Sequence, residues 1–332
     1  MLVGRIDAMS RRRLIESVLW PALVVGNSCI FYWAFRGGWG EIALVVSGPI
    51  ILGAITLLEL LLPVDPEKQA LGDPQLWNDV AHTLLGNATI LTAGALLVYT
   101  TALPLAGYLS ETWGASLWPT HWATGAQVFL AMLATDGLEY WRHRLMHRVP
   151  WLWRLHSLHH SVDRLHAIKG GRVHLLDRFS TSVMIFAPLA LTGIPQSILM
   201  WSAAPVIILS PLAHSNVRFR LPAFAHRLLV TPQEHRIHHA RDLAWANRNY
   251  AAVFPLWDLL FGTFEAPGPT QPELGIDGDA TPPGFWQQIV APFAAPYASP
   301  PGSARADAAP SAPPTSRTAR ARRRPAVSRR SR

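Results

Sequence analysis

The sequence predicts an all-α, polytopic integral membrane bundle: about four transmembrane helices plus a helical hairpin, with a histidine-rich, metal-binding helical cap on the cytoplasmic side. Three observations lead there. Half of the 332 residues are hydrophobic and only 15% are charged, and the mean hydropathy is positive, a balance too apolar for an ordinary soluble domain of this length. The apolar residues gather in runs that meet the roughly 20 residues of helix needed to cross a bilayer. Finally, five of the 14 histidines fall between His143 and His160.

The first run, Leu14–Phe35, follows Arg11–Arg13; more apolar runs and no small-residue cleavage site come after it, so it reads as a membrane helix rather than a secretory signal. Ile42–Leu62 is the second run and Val80–Leu105 the third. The fourth, Trp122–Leu138, leads directly into the histidines. Phe179–Ala213 is about twice the length one crossing needs and is broken at Gly193-Ile194-Pro195, which predicts a hairpin with short, kinked or re-entrant arms.

Basic residues mark the cytoplasmic side of membrane helices. Arg11–Arg13 put the N-terminal end inside, and successive crossings put Pro63–Asn78 and Arg142–Arg178 inside as well. The latter segment holds eight lysines and arginines, whereas Ala106–His121 holds none. With the hairpin returning to its own side, both termini and every dense histidine cluster are expected in the cytoplasm. The expected membrane is a bacterial inner membrane, or the endoplasmic reticulum in a eukaryote.

The formal charge of +8 does not point to nucleic acid. Nine arginines and one aspartate in residues 301–332 account for all of it, leaving 20 basic and 20 acidic residues upstream. Residues 297–332, rich in Pro, Ala, Ser and Arg, are expected to be a disordered basic tail. Cys29 is the only cysteine, so metal would be held by nitrogen or oxygen.

Histidine spacing then defines the site. His143 and His147 in HRLMH lie one helical turn apart; His156, His159 and His160 in HSLHH, and His235, His238 and His239 in HRIHH, repeat an i, i+3, i+4 face. Eight imidazoles on three helical faces exceed one tetrahedral zinc and suit two adjacent metals, without fixing which metal. His214 ends the hairpin close to these clusters and is a further candidate ligand, as is His174 in GRVHLLD. His82, His121, His166 and His226 stand alone and read as ordinary polar residues. Asp136 and Glu139 share a helical face with His143 and can serve as acceptors for ring N–H groups, or equally as a plain cap or as partners of an arginine.

The stretches DGLEYWRHRLMHRVPWLWRLHSLHHS, GRVHLLD, HSN at His214–Asn216 and HRIHHARDLAWANRNYAAVFPLWDLLFGTF resemble the fatty acid hydroxylase/sterol desaturase superfamily over about Asp136–Phe264. The resemblance implies a membrane di-iron oxygenase with two Fe (Fe2+/Fe3+) and O2 as co-substrate, hydroxylating or desaturating a C–H bond of a fatty acyl chain, sterol or related lipid. It divides the chain into membrane helices (1–135), a catalytic region (136–296) with hairpin 179–213, and the tail (297–332), and sets Asn216 and Asn249 beside the ligands. Arg172–Asp177 departs from the family's Arg-x-His-Pro-x-Glu, and Ala251 stands where a glycine is usual; both bear on the substrate channel rather than on the eight clustered histidines.

No GxGxxG, CxxCH or cysteine set for an iron–sulfur cluster occurs, so electrons must come from an external donor: a ferredoxin, a cytochrome b5-like protein or a pterin reductant. A membrane zinc hydrolase is the alternative reading, but it wants a glutamate where Arg144 and Arg236 follow the first histidine of their motifs. A metal transporter or storage protein wants ligands along a transmembrane path, where only His82 and marginally His214 lie.

Overall fold

A computed structural model describes residues 2–114 and 116–294. Among them there is no strand; two isolated bridges, Pro63 with Val217 and Ala240 with Leu274, are the only β-type pairings. The basic tail lies outside the described residues.

Helices α1 (Leu2–Arg36) and α2 (Gly40–Leu61) form an antiparallel pair. The turn between them uses Gly38 at φ +77°, a backbone region open to glycine at little cost. The third apolar run becomes a continuous rod: α3 (Leu76–Thr89), α4 (Ala95–Leu97) and α5 (Leu103–Trp113), joined by π-type turns at Ile90–Gly94 and Val98–Ala102. Pro104 supplies no backbone N–H at the second junction. The hydroxyls of Thr89, Thr92, Thr100 and Thr112 each donate to the carbonyl four residues earlier, which satisfies them without water in a hydrocarbon setting.

Helix α6 (Thr124–Arg148) contains the fourth run but continues through Asp136, Glu139 and the first histidine pair. Pro150 then opens α7 (Pro150–His160) after Val149 adopts an extended conformation; the missing proline N–H and its fixed φ suit a helix start and force the corner. The hairpin's first arm is α8 (Leu175–Thr181), a π-type turn Ser182–Phe186 and α9 (Ala187–Leu191). The chain reverses at Gly193, φ +79°, where the sequence predicts the break, and returns as α10 (Gln196–His214). Short helices complete the fold: α11 (Ala225–Leu228), α12 (Pro232–His238), α13 (Leu243–Ala246), α14 (Leu256–Leu260) and α15 (Phe285–Val290).

Among the described residues, four segments are long and apolar enough to span a membrane: Ser10–Arg36, Gly40–Leu61, Leu76–Thr112 and Gln196–His214. Three are the first three predicted runs and the fourth is the hairpin's second arm. The run Trp122–Leu138 is not among them, because its helix carries on into charged residues and histidines. Ile30, Ile50, Leu84 and Leu96 are each more than 60% exposed, as lipid-facing side chains of spanning helices should be. Inside, α1, α2 and α10 meet around Trp20, Ile55, Ile208, Leu209 and Leu212, so α10 is a central post whose last residue, His214, is delivered to one end of the bundle.

Candidate metal centre

Four helix ends converge there. The corner at Pro150 folds α7 back on α6, so the HRLMH and HSLHH faces oppose each other. Helix α10 contributes His214 from its last turn. Helix α12 is started by Pro232 and by a reciprocal cap in which Glu234 accepts from the Thr231 backbone and hydroxyl; such a cap pins the first turn, and the next turn presents His235, His238 and His239.

The result is nine buried histidines in two adjacent sets. His143, His147, His156, His160 and His238 form one; His159, His214, His235 and His239 form the other, and within each set the ligating nitrogens lie within 4.8 Å of one another. The sets touch where the rings of His160 and His239 stack at 4.5 Å.

Hydrogen bonds fix which nitrogen is bare. Nδ1 of His143 donates to the Tyr250 carbonyl (2.8 Å), Nδ1 of His159 to Arg172 (3.3 Å), Nδ1 of His214 to Ser210 (2.7 Å) and Nδ1 of His238 to Arg248 (2.8 Å). Nδ1 of His156 donates to Asp177 Oδ2 at 2.7 Å. A carbonyl can only accept, so each ring keeps its proton on Nδ1 and turns an Nε2 lone pair inward.

Those inward nitrogens approach closely: 3.0 Å for His143–His156, 3.1 Å for His159–His214, 2.8 Å for His214–His235 and 3.2 Å for His235–His239. Facing lone pairs repel unless a cation lies between them, and nitrogens about 2.1 Å from a shared ion stand roughly 3 to 3.4 Å apart. Both nitrogens of His147, Nε2 of His160 and His238, and Nδ1 of His239 are buried without a partner. Unsatisfied buried polar atoms are costly, and so many in one place is what a metal-binding shell looks like; the donors fit two ions.

Burial first, and neighbouring imidazoles second, push His143, His147, His159, His160, His235 and His239 well below the ordinary imidazole value. His238 falls to about 3, again mainly by burial. The rings are therefore neutral, the state a metal requires. Burial alone would raise Asp177, yet His156 and Arg142 hold it below the usual carboxylate range. Arg142 reaches Asp177 through Nη1 and clamps Glu139 with Nε and Nη2 at 2.7 and 2.8 Å.

Of the residues expected beside the ligands, Asp136 and Glu139 touch no imidazole. Asp136 accepts the backbone N–H groups of Ala252, Val253 and Phe254 at 2.8 to 3.0 Å, tying to α6 the segment whose Tyr250 carbonyl anchors His143. Asn216 bonds both backbone groups of Asp65, and Asn249, at φ +54°, bridges the carbonyls of Glu234 and Glu265; these side chains fasten backbone, not rings. His174 lies outside both sets, with Nδ1 accepting from Leu176 N–H and Nε2 donating to the Ile289 carbonyl.

The isolated histidines have other tasks. His82 pairs with Gln288 and His226 with Thr231 and Glu234, while His121 is exposed. His166 joins Asp73 and Asp79, a trio with metal-like spacing; Lys169 sits 2.8 and 2.7 Å from the two carboxylates and Arg172 is 2.8 Å from Asp79, so this is an ion network. It hangs the Ala167–Gly171 turn on α3 and so places the Arg172 carbonyl for His159. Asp177, the one carboxylate that holds a clustered imidazole, is missed by sequence reasoning although GRVHLLD ends on it; in that motif only the histidine draws attention.

A cavity of about 90 Å³ adjoins both sets, lined by His143, His156, His159, His214 and His235 and by Glu139, Arg142, Asp177 and Arg178.

The family profile described as fatty acid hydroxylase matches residues 128–263. The ornithine lipid hydroxylase OlsE of Rhizobium tropici is 34% identical over 84% of this chain and 84% of its own length. The alkylglycerol monooxygenase of Homo sapiens is 34% identical over 45% of this chain and 32% of its own, and the fatty acid hydroxylase vlmA of Lecanicillium sp is 28% identical over 43% of each. No solved structure matches the chain.

Proposed function

The chain belongs to the fatty acid hydroxylase/sterol desaturase superfamily, and from that premise we propose that it is a membrane-bound, O2-dependent di-iron lipid hydroxylase. The observation that carries the proposal is the pair of buried, adjacent histidine sets whose ring nitrogens converge. His143, His147, His156, His160 and His238 would hold one iron; His159, His214, His235 and His239 the other. Two irons bound there would supply O2 activation and insertion of one oxygen atom into a lipid C–H bond; the second oxygen atom would leave as water, with two electrons from a separate ferredoxin, cytochrome b5-like protein or pterin reductant and two protons from solvent.

The chain's own residues do the rest. The carbonyls of Ser210, Arg172, Tyr250 and Arg248 keep ring protons on Nδ1, so the ligating atoms need no deprotonation when metal enters. Asp177 does the same for His156 and, being ionised, raises that ligand's basicity. Burial excludes bulk water from the reacting volume. Hydroxylation rather than desaturation is the reading that matches the relatives' names, and a polar lipid like the one that names the R. tropici relative is the favoured substrate. The site would face the cytoplasm, on the side where Arg142–Arg178 concentrates positive charge.

Metal analysis of purified protein tests the reading. About two irons per chain, with O2- and reductant-dependent hydroxylation of a membrane lipid, is expected; bound zinc with no oxygenation would overturn it.

A further inference from the structure

The cavity beside the histidines is an odd place for a fatty acyl chain. Long apolar substrates call for apolar slots, and drug-sized ligands for pockets of roughly 300–1,000 Å³. This one measures about 90 Å³ and four charged side chains line it. At 10–15 Å³ of probe volume per water-sized group, it admits roughly six to nine non-hydrogen atoms.

Its charges are not equivalent. Arg142 is spoken for by Glu139 and Asp177, and Asp177 also by His156. Arg178 is different. Its Nε is fully buried without a partner, on the side toward Gly86 of α3, and the outer end of the guanidinium makes one long hydrogen bond, 3.5 Å from Nη2 to the Gly170 carbonyl. No carboxylate pairs with it, so a guanidinium that has lost much of its water is left under-satisfied at the cavity wall, a costly arrangement. Thr181 and Ser210 line the same cavity.

Depth points the same way. His214 is the last residue of a spanning helix, so the site stands where hydrocarbon gives way to headgroups, about 15 Å from the bilayer centre. A lipid lying in the leaflet brings its headgroup, not its chain terminus, to that level.

We propose that Arg178 binds the anionic group, carboxylate or phosphate, of a lipid headgroup that enters this cavity, so that the C–H bond oxidised lies in the headgroup or directly beside it. The proposal rests on the hydroxylase reading above and adds to it the substrate class and a specificity-determining residue. A planar guanidinium recognises carboxylate and phosphate in a forked, two-point manner, which fixes the position of the neighbouring carbons against the two histidine sets.

The experiment uses the iron-loaded full chain in detergent or nanodiscs, with four lipids: an amino-acid-headed lipid with a free carboxylate, its methyl ester, phosphatidylglycerol, and a neutral alkylglycerol. Binding is read by native mass spectrometry without reductant, and KM and kcat by product analysis. Wild-type protein is expected to prefer a free anion over its neutral counterpart at least tenfold, and whether the carboxylate or the phosphate lipid shows this names the source. Arg178→Gln should weaken binding and raise KM for that lipid about ten- to a hundredfold, the range for a lost charge-assisted bond, with kcat little changed and the ester unaffected; Arg178→Lys should recover part of it. Equal use of ester and free carboxylate and of phosphatidylglycerol and alkylglycerol by wild type, or unchanged anionic-lipid binding in Arg178→Gln, overturns the proposal. If Arg178→Gln does not insert, the wild-type comparison decides. Binding of anionic lipid through Arg178 without turnover of any lipid would instead strike the hydroxylase reading.

Discussion

At the scale of residues, the centre separates histidines that share a lone-pair volume from those that do not. His160→Ala and His239→Ala remove nitrogens from different sets at their point of contact, and each is expected to lower iron per chain and abolish hydroxylation. His121→Ala should change neither, and His174→Ala should keep its iron because both of that ring's nitrogens serve backbone; metal content measured on inserted protein, checked by immunoblot, distinguishes them. Asp177→Asn tests a subtler role. The amide can still accept from His156 but loses its charge, so activity should fall about 10- to 100-fold, the scale for partners of metal ligands, while the other eight imidazoles stay in place. The histidine faces that come together were legible in sequence because i, i+3, i+4 spacing is a local property. Asp177 was not, because its pairing with His156 joins two segments 21 residues apart through a fold no local pattern encodes.

Elements show a parallel split. Apolar length reveals the first three runs and the reversal at Gly193, since hydrocarbon thickness and proline chemistry act locally. The same rule marks Trp122–Leu138, but it does not foretell that helix α6 carries on from this run into Asp136, Glu139 and the first histidine pair, and it says nothing of the π-type turns. The ion network between α3 and the Ala167–Gly171 turn was also hidden: four of its members read as ordinary charges and His166 as an isolated polar residue. Burial alone would raise Asp73, but His166 and Lys169 hold it below its ordinary value of 3.8. A depressed carboxyl stabilises the fold fully above its unfolded pKa and loses that contribution as pH falls through and below about 3.8. Asp73→Asn should therefore cost about 3 kcal/mol near neutrality, in the range for breaking a buried ion pair. Thermal melts of solubilised protein should show the gap between wild type and variant narrowing below pH 4; a gap independent of pH would mean that the charge of Asp73 is not what matters.

For the whole molecule the open quantity is direction across the bilayer. Charge bias predicts that reporters fused at Gly38 or Trp113 read outside, and reporters at Pro66, Arg164 or Ala304 inside. An outside signal at Arg164 would reverse the orientation and with it the compartment of the electron donor. Truncation after Pro296 should leave iron content intact, because residues 2–294 already contain every clustered histidine, and should weaken attachment to anionic vesicles at low salt.

Helix α12 and its C-cap residue contribute to both histidine sets: His238 to one, His235 and His239 to the other. This is also the last of the contributing segments to be made. During synthesis the ribosome must release the chain beyond residue 239 before either set is complete, by which time the spanning helices are already in the bilayer. On the proposed reading metal loading would therefore be a late, joint event in the life of the chain, and an early stop or a pause before α12 would leave an inserted, helical protein with both sets incomplete, His238 missing from one and His235 and His239 from the other.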